Sequence, residues 1–264
     1  KIGVLVERAQ SHAQTVLEGA ESTWLMLPQL GASLPFPRVL SSMHDDAHNT
    51  KQQVLVLVGA SCEGLYGLAQ AAGPSASYEL AGVVTTDRTL RPSIRGVPCE
   101  FMEAESLAAT LGERYPASSG TLFVALASFD RRKLPQDFLT PRRGKVVAVH
   151  HSLLPAFPME DPVTEALRKR VFVTGVTAFV VVPNVALQDS PILAQEVCQV
   201  APGESRDTLY DRIRKECENA CVAAAVHSLS SGKLTLVAER GGPNMVVEQR
   251  ARSASILSRI RQGG

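Results

Sequence analysis

The sequence has almost no excess of either charge: 27 Lys and Arg stand against 26 Asp and Glu, a formal net charge of +1. That balance excludes a global pull toward nucleic acid or an anionic membrane, so any such partner has to be met by a local patch. Cysteine is scarce, and the five present, Cys62, Cys99, Cys198, Cys217 and Cys221, contain no Cys-x-x-Cys pair. An odd, scattered set argues against a disulfide framework or a zinc ribbon and fits a reducing compartment. The longest run without charge is eighteen residues, Val171 to Gln188, broken by Thr174, Gly175, Thr177, Pro183 and Asn184. Its Val, Phe and Thr content reads as a buried strand with its flanks rather than a membrane span.

What is present is ordinary for a folded protein: 45% hydrophobic and 20% charged residues in 264, with mean hydropathy +0.03. Disordered, collagen-like and coiled-coil classes are excluded, and the length suits one large domain or one and a half. The first residue is Lys1 rather than Met, from which a removed leader is expected, mitochondrial in the first reading and cytoplasmic in the alternative.

β-Branched apolar runs recur at Val54–Val58, Ala81–Thr86, Leu122–Ala127, Lys145–His150 and Val176–Val182. Strands that are apolar throughout are buried on both faces, which a mostly parallel sheet covered by helices requires. Helical patterns lie after Gly59–Gly64, over Glu103–Tyr115 and Asp161–Arg170, and longest over Ser205–Ser228, where Leu209, Ile213, Ala220, Cys221 and Ala224 share one face. The expected fold is an open α/β, Rossmann-like domain over 54–240. Residues 1–53 read as an N-terminal extension, with a strand Lys1–Val6, a helix near Ala13–Ala20 and a polar linker, and 241–264 as a basic tail.

The most distinctive string is Val147-Ala148-Val149-His150-His151-Ser152-Leu153-Leu154-Pro155-Ala156-Phe157-Pro158. With Val54–Leu65, Leu126–Phe129 plus Arg131 and Pro135, Gly175–Phe179, and Pro191-Ile192-Leu193 with Gln195, it makes five ordered blocks. Together they resemble the formyltransferase family that handles 10-formyltetrahydrofolate, most closely the formyltetrahydrofolate deformylases, then the glycinamide ribonucleotide formyltransferases. The resemblance implies the fold above, a folate pocket near Phe129, Arg131 and Leu153, and residues 1–53 as a reduced ACT domain.

It also implies chemistry at a formyl carbonyl, where attack by water or an amine builds negative charge on oxygen. The family sets an Asn and a His two residues apart on one strand end, so that both face one cleft, and adds an Asp that orients the His. Here the His position is His150, the Asn position holds Ala148, and the Asp position holds Gln188, with Asp189 next to it. Losing an oxyanion donor costs roughly 10²–10³ in turnover and losing a base or its orienter roughly 10²–10⁴, without simple multiplication.

Arg131, Arg132, Lys133, Arg142, Arg143 and Lys145 collect against Asp130 and Asp137 as a candidate phosphate or RNA contact, echoed by Arg250–Arg261 but without the aromatic interleaving that reads single-stranded bases. His44 and His48 have a metal-pair spacing inside a polar linker, Cys217 and Cys221 read as small buried residues, and no metal site is expected.

The first expectation is therefore a catalytically degenerate formyltransferase-like protein without cofactor. It would serve as a structural or binding subunit of a larger, RNA-containing assembly such as a mitochondrial ribosome, with protein and RNA as partners and no membrane. The alternative is an active one-carbon enzyme that hydrolyses or transfers the formyl group of 10-formyltetrahydrofolate, with His150 and Asp189 as its catalytic pair. A third reading is a folate sensor without turnover.

Overall fold

The computed structural model describes residues 51–90, 92–238 and 245–249. The expected elements at Lys1–Val6 and Ala13–Ala20, the pair His44 and His48, and Arg250–Arg261 lie outside the described residues.

The chain runs β1 (Gln52–Val58), α1 (Glu63–Ala71), β2 (Tyr78–Thr85), β3 (Cys99–Phe101), α2 (Leu107–Arg114), β4 (Leu122–Ala125), α3 (Gln136–Leu139), β5 (Val146–His150), α4 (Pro162–Arg168), β6 (Val173–Val180) and β7 (Ile192–Gln199). It continues through α5 (Arg206–Arg212), a π-helical stretch (Ile213–Glu218) and α6 (Asn219–Ser230) to a hairpin, β8 (Leu234–Ala238) and β9 (Met245–Gln249). β1 starts at Gln52, and the hairpin crosses the boundary expected at residue 241.

Seven strands form one sheet in the order β3-β2-β1-β4-β5-β6-β7. The pairs from β3 to β5 are parallel, and β6 and β7 join antiparallel, so the sheet is mixed but mostly parallel. β1 shows why its sequence is apolar throughout. Val54, Val56 and Val58 pack with Leu65 of α1 and Leu209 and Val222 of the long helix, whereas Leu55 and Leu57 pack with Leu107, Leu111 and Phe138 on the opposite face.

The run Val171–Gln188 folds as β6 and the loop after it, and no helix among the described residues is long and apolar enough to cross a membrane. The long helix begins at its Ser205 cap, whose Oγ accepts the Thr208 N–H at 3.2 Å. Its buried face differs from the expected one. The π-helical turn rotates the register, so Cys217, Glu218, Cys221, Val222, Ala225 and Val226 are buried while Ala220 and Ala224 are exposed.

Candidate functional site

The parallel strands deliver their carboxyl ends to one edge of the sheet, where order reverses between β1 and β4, and in such sheets this edge holds the ligand crevice. The loops after β1 and β4 touch there. The Gly59 N–H donates to Ser128 Oγ at 3.1 Å, and that hydroxyl donates to the Ser61 carbonyl at 2.6 Å. A β-carbon at Gly59 would run into the Ser128 carbonyl, so this crossing needs glycine. Beside it opens a cleft of about 580 Å³, within the usual range for small-molecule sites. Phe129, Val149, Met159 and Leu187 give it apolar walls, and Asp130, Arg131, Arg132, His150 and Glu160 supply the polar groups.

His150 ends β5 on the same sheet face as Ala148. Its Nε2 lies 2.9 Å from the Phe157 carbonyl, which can only accept, so this nitrogen carries the proton. Burial lowers the imidazole pKa below 6.5; the bond to Phe157 works against this, and the charges of Arg131 and His151 press with it. At neutral pH the ring is therefore uncharged, and Nδ1 keeps the lone pair a general base needs. The acceptor is held by a strained turn: Phe157 has φ 52°, and Ser152 Oγ donates to the Ala156 carbonyl at 2.6 Å.

The loop behind His150 is knitted to β6 and β7 by residues from the matched blocks. Thr177 Oγ1 donates to the Ser152 carbonyl at 2.6 Å and accepts the Leu154 N–H at 3.0 Å. Gln195 Nε2 donates to the Leu154 carbonyl and to Thr177 Oγ1, each at 2.9 Å. On the other side, His151 Nε2 lies 2.8 Å from Glu218, whose second oxygen accepts the Ala127 N–H at 3.4 Å.

Both acids at the mouth, Asp130 and Glu160, bond to Arg132, at 2.9 and 3.2 Å. Among the described residues the Arg131 guanidinium makes no ion pair; it sits 5.1 Å over the Phe179 ring. Phe179 is the strand partner of Ala148, and both are fully buried.

Three of the residues expected at the site thus meet in the cleft: Phe129, Arg131 and His150. Others do not. Leu153 packs against Gly175 on the sheet, because that glycine leaves room for its methyl, and it does not line the cleft. Gln188 and Asp189 sit exposed on a short 3-10 turn, and among the described residues neither side chain hydrogen-bonds to His150. Of that turn, Leu187 reaches the cleft.

The six basic residues do not make one surface. Arg142 is buried, donating to the Phe138 and Tyr115 carbonyls at 3.1 and 2.7 Å, and so is a core residue rather than a phosphate contact. Arg143 and Lys145 lie at the opposite end of the sheet, beside Gln52 and Leu122. Lys133 donates to Thr86 at 3.0 Å, and Arg132 is held by its two acids. The sequence reading also missed Glu218, whose signal was a charge in the middle of an otherwise apolar helix face.

A family profile described as Formyl transferase matches residues 31–225, well over half of the chain. The chain belongs to the formyl transferase family. Among relatives, formyltetrahydrofolate deformylase of Escherichia coli K12 is 26% identical over 233 residues, 86% of this chain and 81% of that protein. Phosphoribosylglycinamide formyltransferase of Mycobacterium tuberculosis is 39% identical over 114 residues, 43% of this chain; the match spans about half of that relative's length, 51%. The crystal structure of phosphoribosylglycinamide formyltransferase from Anaplasma phagocytophilum shares the fold, with TM-score 0.64 at 22% identity over 77% of this chain and 96% of that one. In this family member His150 and Phe129 line the cleft, and Ala148 and Phe179 are packed as core.

Proposed function

We propose that this formyl transferase family member is a one-carbon enzyme that acts on the formyl group of 10-formyltetrahydrofolate in the cleft beside His150, with water as the first-choice acceptor and an amine as the alternative. The observation that carries this reading is the neutral His150, its Nε2 proton tied to the Phe157 carbonyl and its Nδ1 left as a base. Apolar walls and one guanidinium without an ion pair among the described residues fit a flat ring system that ends in a polar, anionic group.

The step balances with this chain's own groups. His150 Nδ1 takes a proton from water as the water oxygen bonds to the formyl carbon, and the carbonyl π pair moves onto oxygen. When that pair returns, the carbon–nitrogen bond breaks and the nitrogen takes the proton back from His150. Formic acid leaves and ionises to formate. The experiment is formate release by the purified protein, with heat of tetrahydrofolate binding measured beside it by calorimetry. Release that His150→Ala removes supports the reading.

A second reading has its own observation. Ala148 offers no donor, and Asp189 is exposed with no hydrogen bond to His150 among the described residues, which favours a folate-binding protein without turnover. Heat of binding without formate release selects it. The subunit of an RNA-containing assembly keeps less support, because Arg131–Lys133 and Arg143 with Lys145 lie at opposite ends of the sheet.

A further inference from the structure

The cleft contains a cation, Arg131, that makes no ion pair among the described residues. Arg131 follows Asp130 directly, yet the Asp130 carboxylate is taken by Arg132, through Nε at 2.9 Å and Nη2 at 3.2 Å. The other nearby acid, Glu160, bonds to the same Arg132. Arg131 sits over the Phe179 ring, 5.1 Å from its centre, a contact that uses none of its N–H donors. It lines the same cleft as His150, makes no ion pair among the described residues, and its charge acts on His150. Burial disfavours its charge and the nearby Asp130 offsets this only in part, so a bound anion would recover more of what desolvation costs.

We propose that Arg131 is the seat for an anionic oxygen in this cleft, and that in the proposed reaction its guanidinium donates to the formyl oxygen as that oxygen becomes negative. This rests on the reading of the cleft as a formyl site, and it assigns to one side chain the donor role that Ala148 cannot fill. Phe179 then has a purpose: a side chain without polar atoms gives the guanidinium an apolar bed and no competing acceptor. Arg132 is the positioning residue, because both acids at the mouth bond to it rather than to Arg131.

The test uses formate, the product anion, as probe, followed through the ring signals of His150 by NMR at pH 7. In the wild type formate shifts the His150 signals saturably and raises its pKa, since the anion offsets the Arg131 charge. Arg131→Ala abolishes saturation, and Arg131→Lys retains part of it. Arg132→Gln frees Asp130 and Glu160 to capture Arg131, so it weakens formate binding, and adding Asp130→Asn and Glu160→Gln restores it. Circular dichroism and slow labelling of buried thiols keep unfolding apart from loss of the seat. Equal formate responses in wild type and Arg131→Ala overturn the proposal.

Kinetics then separate the roles. Loss of an oxyanion donor lowers kcat by about 10²–10³ with KM little changed. A rise in KM at unchanged kcat makes Arg131 a binding group for a carboxylate of the substrate and overturns the oxyanion role. If the wild type releases no formate, the one-carbon reading fails, while the formate titration still decides the anion seat.

Discussion

His151 and Glu218 form a buried pair, Nε2 to Oε2 2.8 Å, with side chains 7% and 4% exposed. The pair bolts the loop that follows β5 to the π-helical turn of the long helix, and through the Ala127 N–H to the loop that follows β4. Both loops frame the cleft. Removing one partner of such a pair strands the other in the core, so His151→Leu is expected to cost about 3–5 kcal/mol. Glu218→Gln keeps a hydrogen bond and costs less, about 1.5 kcal/mol or below. Urea unfolding of the two variants checks the order.

Thiol reactivity should divide cleanly. Burial pushes the Cys217 and Cys221 thiols up to about 12 and raises Cys198 as well. Cys99 is exposed and Cys62 half-buried. A thiol reagent at pH 8 should label Cys99 and Cys62 in the native protein and reach the other three only on unfolding. Mass spectrometry of the labelled peptides reads the division.

Two glycines carry close backbone approaches. A β-carbon at Gly67 of α1 would meet the Asn219 backbone at the start of α6, and one at Gly59 would meet the Ser128 carbonyl. Alanine at either position forces the crossing apart, at about 1–3 kcal/mol. Gly59→Ala should in addition weaken ligand binding, because the Ser128 loop runs into the cleft, whereas Gly67→Ala should lower the melting temperature alone.

The His150 shift has a sign that can be measured. Its folded pKa lies below the unfolded value of 6.5, so the unfolded chain binds more protons as pH falls through and below 6.5. The contribution is present above 6.5 and is lost as pH falls toward the folded pKa. His150→Gln should therefore flatten the stability profile in that acid window and leave the profile above pH 7 unchanged, as followed by urea midpoints across pH.

The sheet was legible because its chemistry is local: Val54–Val58 and Val146–His150 are apolar on both faces and could only be central strands. β7 was not, since an edge strand with Gln195, Glu196 and Gln199 half in water carries no strong period. His150 was legible as the end of a strand run, and Phe129 and Arg131 followed from the matched blocks. Leu153 and Arg142 were not, because each is placed by a contact distant in sequence, Gly175 and the Tyr115 carbonyl, and Asp189 was not, because the short 3-10 turn that exposes it carries no periodic signal. The two acids that bond to Arg132 lie 2 and 28 residues from it and show no pattern in one dimension.

The most direct measurement is formate release from 10-formyltetrahydrofolate by the purified protein at pH 7 and high enzyme concentration, beside His150→Ala. The account predicts turnover that falls by about 10²–10⁴ in the variant. Release equal to that of the variant, at the background rate, would contradict it and leave a binding protein built on the formyl transferase fold.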